Sequence, residues 1–78
     1  METKNYYINF QNGDNILIYT DQQLSHETIK AFAEKATGNA VLEVYHVPQE
    51  ELQYYCIDSR IWVDTPEKAE KLKQIANS

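Results

Sequence analysis

Residues 45–63 read YHVPQEELQYYCIDSRIWV, and the architecture turns on whether they are strand, helix or neither. Pro48 ends the β-branched and aromatic run AVLEVYHV (40–47), because proline cannot donate to a sheet ladder. QEEL can open a short helix, but LQYYCI (52–57) returns to an aromatic, period-two pattern, and DSR reads as a turn into IWV. The stretch is therefore expected to follow the third strand with a fourth and a fifth, joined as a hairpin.

Upstream, YYINF (6–10) alternates, with Tyr6, Ile8 and Phe10 pointing one way and Tyr7 and Asn9 the other; ILIY (16–19) follows after QNGDN. A two-residue Asn-Gly loop would oppose Asn9 to Ile16 and Phe10 to Asn15, mixing polar with apolar on both faces. A three-residue loop Gln11-Asn12-Gly13, with Gly13 left-handed, instead pairs Ile8 with Ile16, Tyr6 with Ile18, and Tyr7 with Leu17. That register is preferred.

LSHETIKAFAEKATGN (24–39) changes period, placing Ile29, Phe32, Ala33 and Ala36 on one helix face. Ser25 is the expected N-cap, Leu24 its staple onto Ile29, and Gly38 the left-handed C-terminal residue. DTPEKAEKLKQIA (64–76) gives a second helix, with Thr65 as N-cap, Pro66 in the first turn, and Ala69, Leu72, Ile75 and Ala76 along one stripe. The order is ββαβββα: an α+β fold in two layers, a mostly antiparallel sheet with two helices on one face, forming a single compact domain over residues 1–78.

Composition bounds the function. The 78 residues are 42% apolar and 12% aromatic with two glycines and two prolines, the make-up of a folded domain, though a small one with a limited core. One cysteine excludes an internal disulfide, and METKNYY has no apolar leader behind its lysine. A cytoplasmic location is expected, with no membrane insertion, since no apolar run approaches the ~18 residues of a span. The net charge of −5 divides as −2 over residues 1–38 and −3 over residues 39–78. With basic residues outnumbered in both halves, direct nucleic-acid binding is disfavoured and a protein partner is favoured.

No reaction chemistry is signalled. A cysteine nucleophile needs a base and a group that orients the base; Cys56 shares its expected strand phase with Leu52 and Tyr54, which reads as a small buried hydrophobe. His26, His46 and Cys56 lack the close spacing of metal ligands, and both glycines are assigned to turns, leaving none for a phosphate-binding loop. No catalytic residue, cofactor or metal is expected. Glu43, Glu50, Glu51, Asp58 and Asp64 read as solvated charges forming an acidic surface.

The tyrosines carry more information. Tyr7, Tyr19, Tyr45 and Tyr55, with Leu17 and Ile57, fall on the strand phase opposite the helices, and are expected to form an exposed aromatic face. That face, Tyr7, Leu17, Tyr19, Tyr45 and Tyr55, is the expected protein interface, to a partner or to a second copy in a homodimer. In size and composition the chain resembles small accessory proteins and inhibitors encoded by phages and mobile elements, which implies a non-enzymatic protein-binding module that occupies a partner's surface. The alternative is an acidic mimic that blocks a DNA- or RNA-binding groove through the five carboxylates; a small Cys/His-dependent enzyme is the outsider.

Overall fold

The computed structural model describes residues 3–78. Strands β1 (Lys4–Phe10) and β2 (Asn15–Thr20) form an antiparallel hairpin, followed by α1 (His26–Thr37), β3 (Val41–His46), a 3-10 helix (Gln49–Tyr54), β4 (Arg60–Val63) and α2 (Pro66–Ala76). The four strands make one mixed sheet in the order β3-β1-β2-β4. β1 runs antiparallel to β2 and β3, whereas β4 runs parallel to β2.

The hairpin has the three-residue loop. Ile8 opposes Ile16, Tyr6 opposes Ile18 and Tyr7 opposes Leu17. Phe10 N–H donates to the Asp14 carbonyl at 2.9 Å and Gly13 N–H to the Phe10 carbonyl at 3.1 Å. Gly13 sits at φ 95°, where a side chain is strained and glycine is not. Each helix begins where its cap residue is placed: Ser25 accepts from Thr28 N–H and Thr65 from Lys68 N–H. Gly38, at φ 74°, ends α1.

Both helices cover one face of the sheet. Tyr6, Ile8, Phe10, Ile16, Ile18 and Val63 pack there against Leu24, Ile29, Phe32 and Ala33 of the α1 region and Ala69, Leu72 and Ala76 of α2. On the edge strand β3 the register shifts at Asn9/Phe10, so that Phe10 opposes Val41, Asn9 opposes Glu43 and Leu42 has no partner. This bulge turns Leu42 outward, at 60% exposure, although strand phase alone would place it under the helices.

Residues 52–57 correct the sequence-based expectation. They form no strand, and IWV is not half of a hairpin but a parallel neighbour of β2. The reason is topological. To reach β4 from β3 the chain crosses the sheet over β1 and β2, three inter-strand spacings or roughly 14 Å. Because β3 and β4 run parallel, the connection must also return along the length of the strands, which no tight turn can do. Since both helices occupy the opposite face, the crossover 47–59 lies across the face expected to be open.

Candidate functional site

That second face is a core of its own. Tyr7, Leu17, Tyr19 and Val47 are buried, and Leu52, Tyr55 and Ile57 of the crossover pack over them. The Tyr7 and Tyr55 rings lie 4.7 Å apart at 55°. Tyr7 Oη donates to the Cys56 carbonyl at 3.5 Å, and burial, followed by the nearby Asp58, Cys56 and Tyr55, raises its pKa above the ordinary 10.0. Of the five residues expected as an exposed interface, then, Tyr7, Leu17 and Tyr19 are covered, Tyr55 is half-buried as part of the cover, and only Tyr45 is exposed. Strand alternation places Tyr7, Leu17, Tyr19 and Tyr45 on this face, whereas Tyr55 belongs to no strand and packs over Tyr7 as part of the crossover.

Two asparagines fix the crossover at its ends. At the β3 end, Asn5 Nδ2 donates to the Val47 carbonyl at 3.3 Å and to Gln49 Oε1 at 3.1 Å, and Val47 N–H donates to the Asn5 carbonyl at 2.8 Å. At the β4 end, Asn15 Nδ2 donates to the Cys56 carbonyl at 2.9 Å while its Oδ1 accepts from Asp58 N–H at 2.8 Å. Sequence reasoning missed both. Their signal is their phase: Asn5 and Asn15 alternate with Tyr7, Leu17 and Tyr19 on the same face, where an open surface has no need of fixed amides.

The acidic residues do not form one surface. Glu43 lies on the β3 edge, Glu50 and Glu51 on the 3-10 helix, Asp58 before β4 and Asp64 before α2. All five are exposed. Asp58 accepts from Asn15 N–H at 3.4 Å, and Asp64 bonds Lys68 at 2.8 Å, the contact that chiefly lowers its pKa. β3 and β4 are opposite edges of the sheet, so these carboxylates are divided between its two sides.

Cys56 is exposed rather than buried, because the segment carrying it is not a strand. His46 stands on the other sheet face, its ring 5.7 Å from Tyr6, which His26 meets edge-on at 5.3 Å. Cys56 and His46 are therefore not placed to act together. Among the described residues no three His, Cys, Asp or Glu side chains gather to hold a metal ion, and no helix is long and apolar enough to cross a membrane.

Of the exposed large apolar side chains, Tyr54 lies on the 3-10 helix and the others lie on or beside the two open sheet edges. Leu42 and Tyr45 belong to β3; Trp62, 57% exposed, belongs to β4 and Ile75 to the adjacent α2. Trp62 stacks on Tyr19 at 4.2 Å and 13°. Arg60, also on β4, donates to Tyr19 Oη and lies over the Tyr19 ring. The chain has no significant match among protein-family models, curated proteins or solved structures.

Proposed function

We propose that this chain is a non-enzymatic protein-binding module that occupies a partner protein's surface, in the manner of an accessory or inhibitor protein of a phage or mobile element. The observation that carries the reading is the exposure of Leu42 and Tyr45 on β3, of Trp62 on β4 and of Ile75 on the adjacent α2, on or beside the two sheet edges. Large apolar side chains left in water beside unpaired strand edges are costly in a chain of this size, and a partner that covers them recovers their burial energy. The expected interface moves accordingly, from the face of Tyr7, Leu17 and Tyr19 to the edges.

The acidic-mimic alternative draws support from Glu43, Glu50 and Glu51, exposed carboxylates on a chain of net charge −5. Affinity capture from the source cell separates the two readings. At about 0.15 M salt charges act over about 8 Å, and at about 1 M over about 3 Å. A partner held through apolar edges stays bound at the higher salt. Release there, with retention at the lower, supports mimicry instead. Sedimentation across a concentration series tests whether the partner is a second copy in a homodimer.

A further inference from the structure

The two sheet edges differ in how open they are to another strand. β3 carries a bulge at Leu42, a glutamate at 43 and Pro48 just beyond its end, features that discourage edge pairing. β4 has no bulge, proline or acidic residue within it. Leu17 N–H donates to the Ser59 carbonyl at 2.9 Å and Thr20 Oγ1 to the Val63 carbonyl at 2.9 Å. Ser59, Ile61 and Val63 therefore turn their peptide groups toward β2, and by alternation Arg60 and Trp62 turn theirs to the free edge.

Beside that edge runs a groove of about 190 Å³ between β4 and the helices, floored by Phe32, Ile61, Leu72 and Ile75 and rimmed by Lys68 and Lys71. It is smaller than the ~300–1,000 Å³ of ligand pockets, and suits inserted side chains better than a small molecule. Its charged residues are both lysines; Lys68 is held by Asp64, and Lys71 has no ion-pair partner among the described residues. The setting is distinctive within the chain. Before Arg60 nine acidic residues outnumber three basic ones, and from Arg60 onward four basic residues face three acidic.

We propose that the β4 edge and this groove bind an extended acidic segment of a partner protein by strand addition. Its backbone pairs with Arg60 and Trp62; on the phase facing the helices apolar side chains enter between Ile61 and Ile75 with a carboxylate beside them at the Lys71 rim, and on the other phase carboxylates meet Arg60. Charge complementarity selects this occupant over a second copy, which would bring its own lysine-rimmed groove to the same seam. The proposal rests on the protein-binding reading above and names its surface and partner chemistry.

The test titrates the isotope-labelled full chain with two blocked nine-residue peptides, one with three central valines flanked on each side by three glutamates and the other with the same valines flanked by lysines, so that both strand phases carry charge. Binding of the glutamate peptide is expected to shift the amides of Arg60 and Trp62 and to change the fluorescence of Trp62, the sole tryptophan. The lysine peptide should bind about tenfold more weakly or not at all, and Lys71→Glu should weaken the glutamate peptide by a similar factor while Lys71→Arg does not. Equal binding of both peptides, no binding, or shifts confined to β3 overturns the proposal. So does concentration-dependent protection of the Arg60 and Trp62 amides without peptide, which makes a second copy the occupant. A partner captured equally by wild type and by a Trp62→Lys, Lys71→Glu variant overturns the groove yet leaves the protein-binding reading standing; capture by neither counts against that reading, and the titration alone then decides the groove.

Discussion

On β2, Ile18 points to the helices and its neighbour Leu17 points to the crossover 47–59, and both side chains are fully buried. The two faces are nevertheless covered by unlike means. One lies under two capped helices with regular apolar stripes; the other lies under a short 3-10 helix and irregular chain, held at its ends by Asn5 and Asn15. A strand face can thus be closed by a segment that has no periodicity of its own, provided its backbone polar groups are satisfied by fixed partners.

The strongest way to break this comparison is to truncate both cores. Phe32→Ala on the helix face should cost about 3–5 kcal/mol, and Leu17→Ala on the crossover face about 2–5 kcal/mol, in a domain whose total stability is on the order of 4–12 kcal/mol. Urea unfolding measures both. Were the second face open to solvent, Leu17→Ala would change stability by no more than about 0.5 kcal/mol. An unchanged midpoint for Leu17→Ala alongside a collapsed one for Phe32→Ala would show that the crossover does not close its face.

Gly13→Val addresses what sorts residues onto the two faces. The hairpin register decides it, and that register depends on the left-handed Gly13. A β-branched residue there should cost about 1–2 kcal/mol. No cost in thermal unfolding would mean that the loop accommodates another turn, and with it another sorting.

What could be read from the sequence divides along the same line. The hairpin register, both helices and their caps rest on local rules: a positive-φ glycine, serine and threonine caps, and a 3.6-residue apolar stripe. The path of residues 47–59 rests on a non-local one. LQYYCI has strand-like residues, but they serve a crossover that must reach the far edge of the sheet, and nothing within six residues encodes that destination. Burial of Tyr7 and Tyr19 could not be seen without it, and neither could the exposure of Cys56 and Trp62.

Asn15→Ala sharpens the role of the anchors. It removes the bonds to the Cys56 carbonyl and the Asp58 N–H while leaving the apolar packing untouched. The expected loss is about 1 kcal/mol, and hydrogen exchange should speed up at residues 56–59 more than in α1. Uniform acceleration across the chain would mean that the crossover and the helix face unfold together, as a single unit.

The pH response distinguishes the faces more gently. Burial raises the Tyr7 pKa above 10.0, so the folded state favours the neutral phenol. The unfolded chain releases that proton first; the stability contribution is complete below pH 10 and declines as the pH rises through the folded value. Tyr7→Phe should flatten that decline relative to wild type in denaturation series run above pH 10. An identical decline in both would place the loss in the other tyrosines and leave Tyr7 uncoupled from the crossover.

Cys56→Ser should have the smallest effect of all. The cysteine belongs to the cover of the second face, yet its side chain is exposed and it is the carbonyl that receives the bonds from Tyr7 and Asn15. Serine retains that carbonyl and places its hydroxyl in water, so stability should stay within about 0.5 kcal/mol of wild type. A buried thiol would behave differently, because the new hydroxyl would lack a partner and cost about 1–3 kcal/mol. The rate of thiol modification in the folded protein is an independent check: a reagent that reacts at the rate of an unfolded control agrees with an exposed side chain on a fixed backbone. Strong protection, joined to a stability loss on substitution, would mean that Cys56 turns inward and that the cover packs more deeply than Leu52, Tyr55 and Ile57 alone provide.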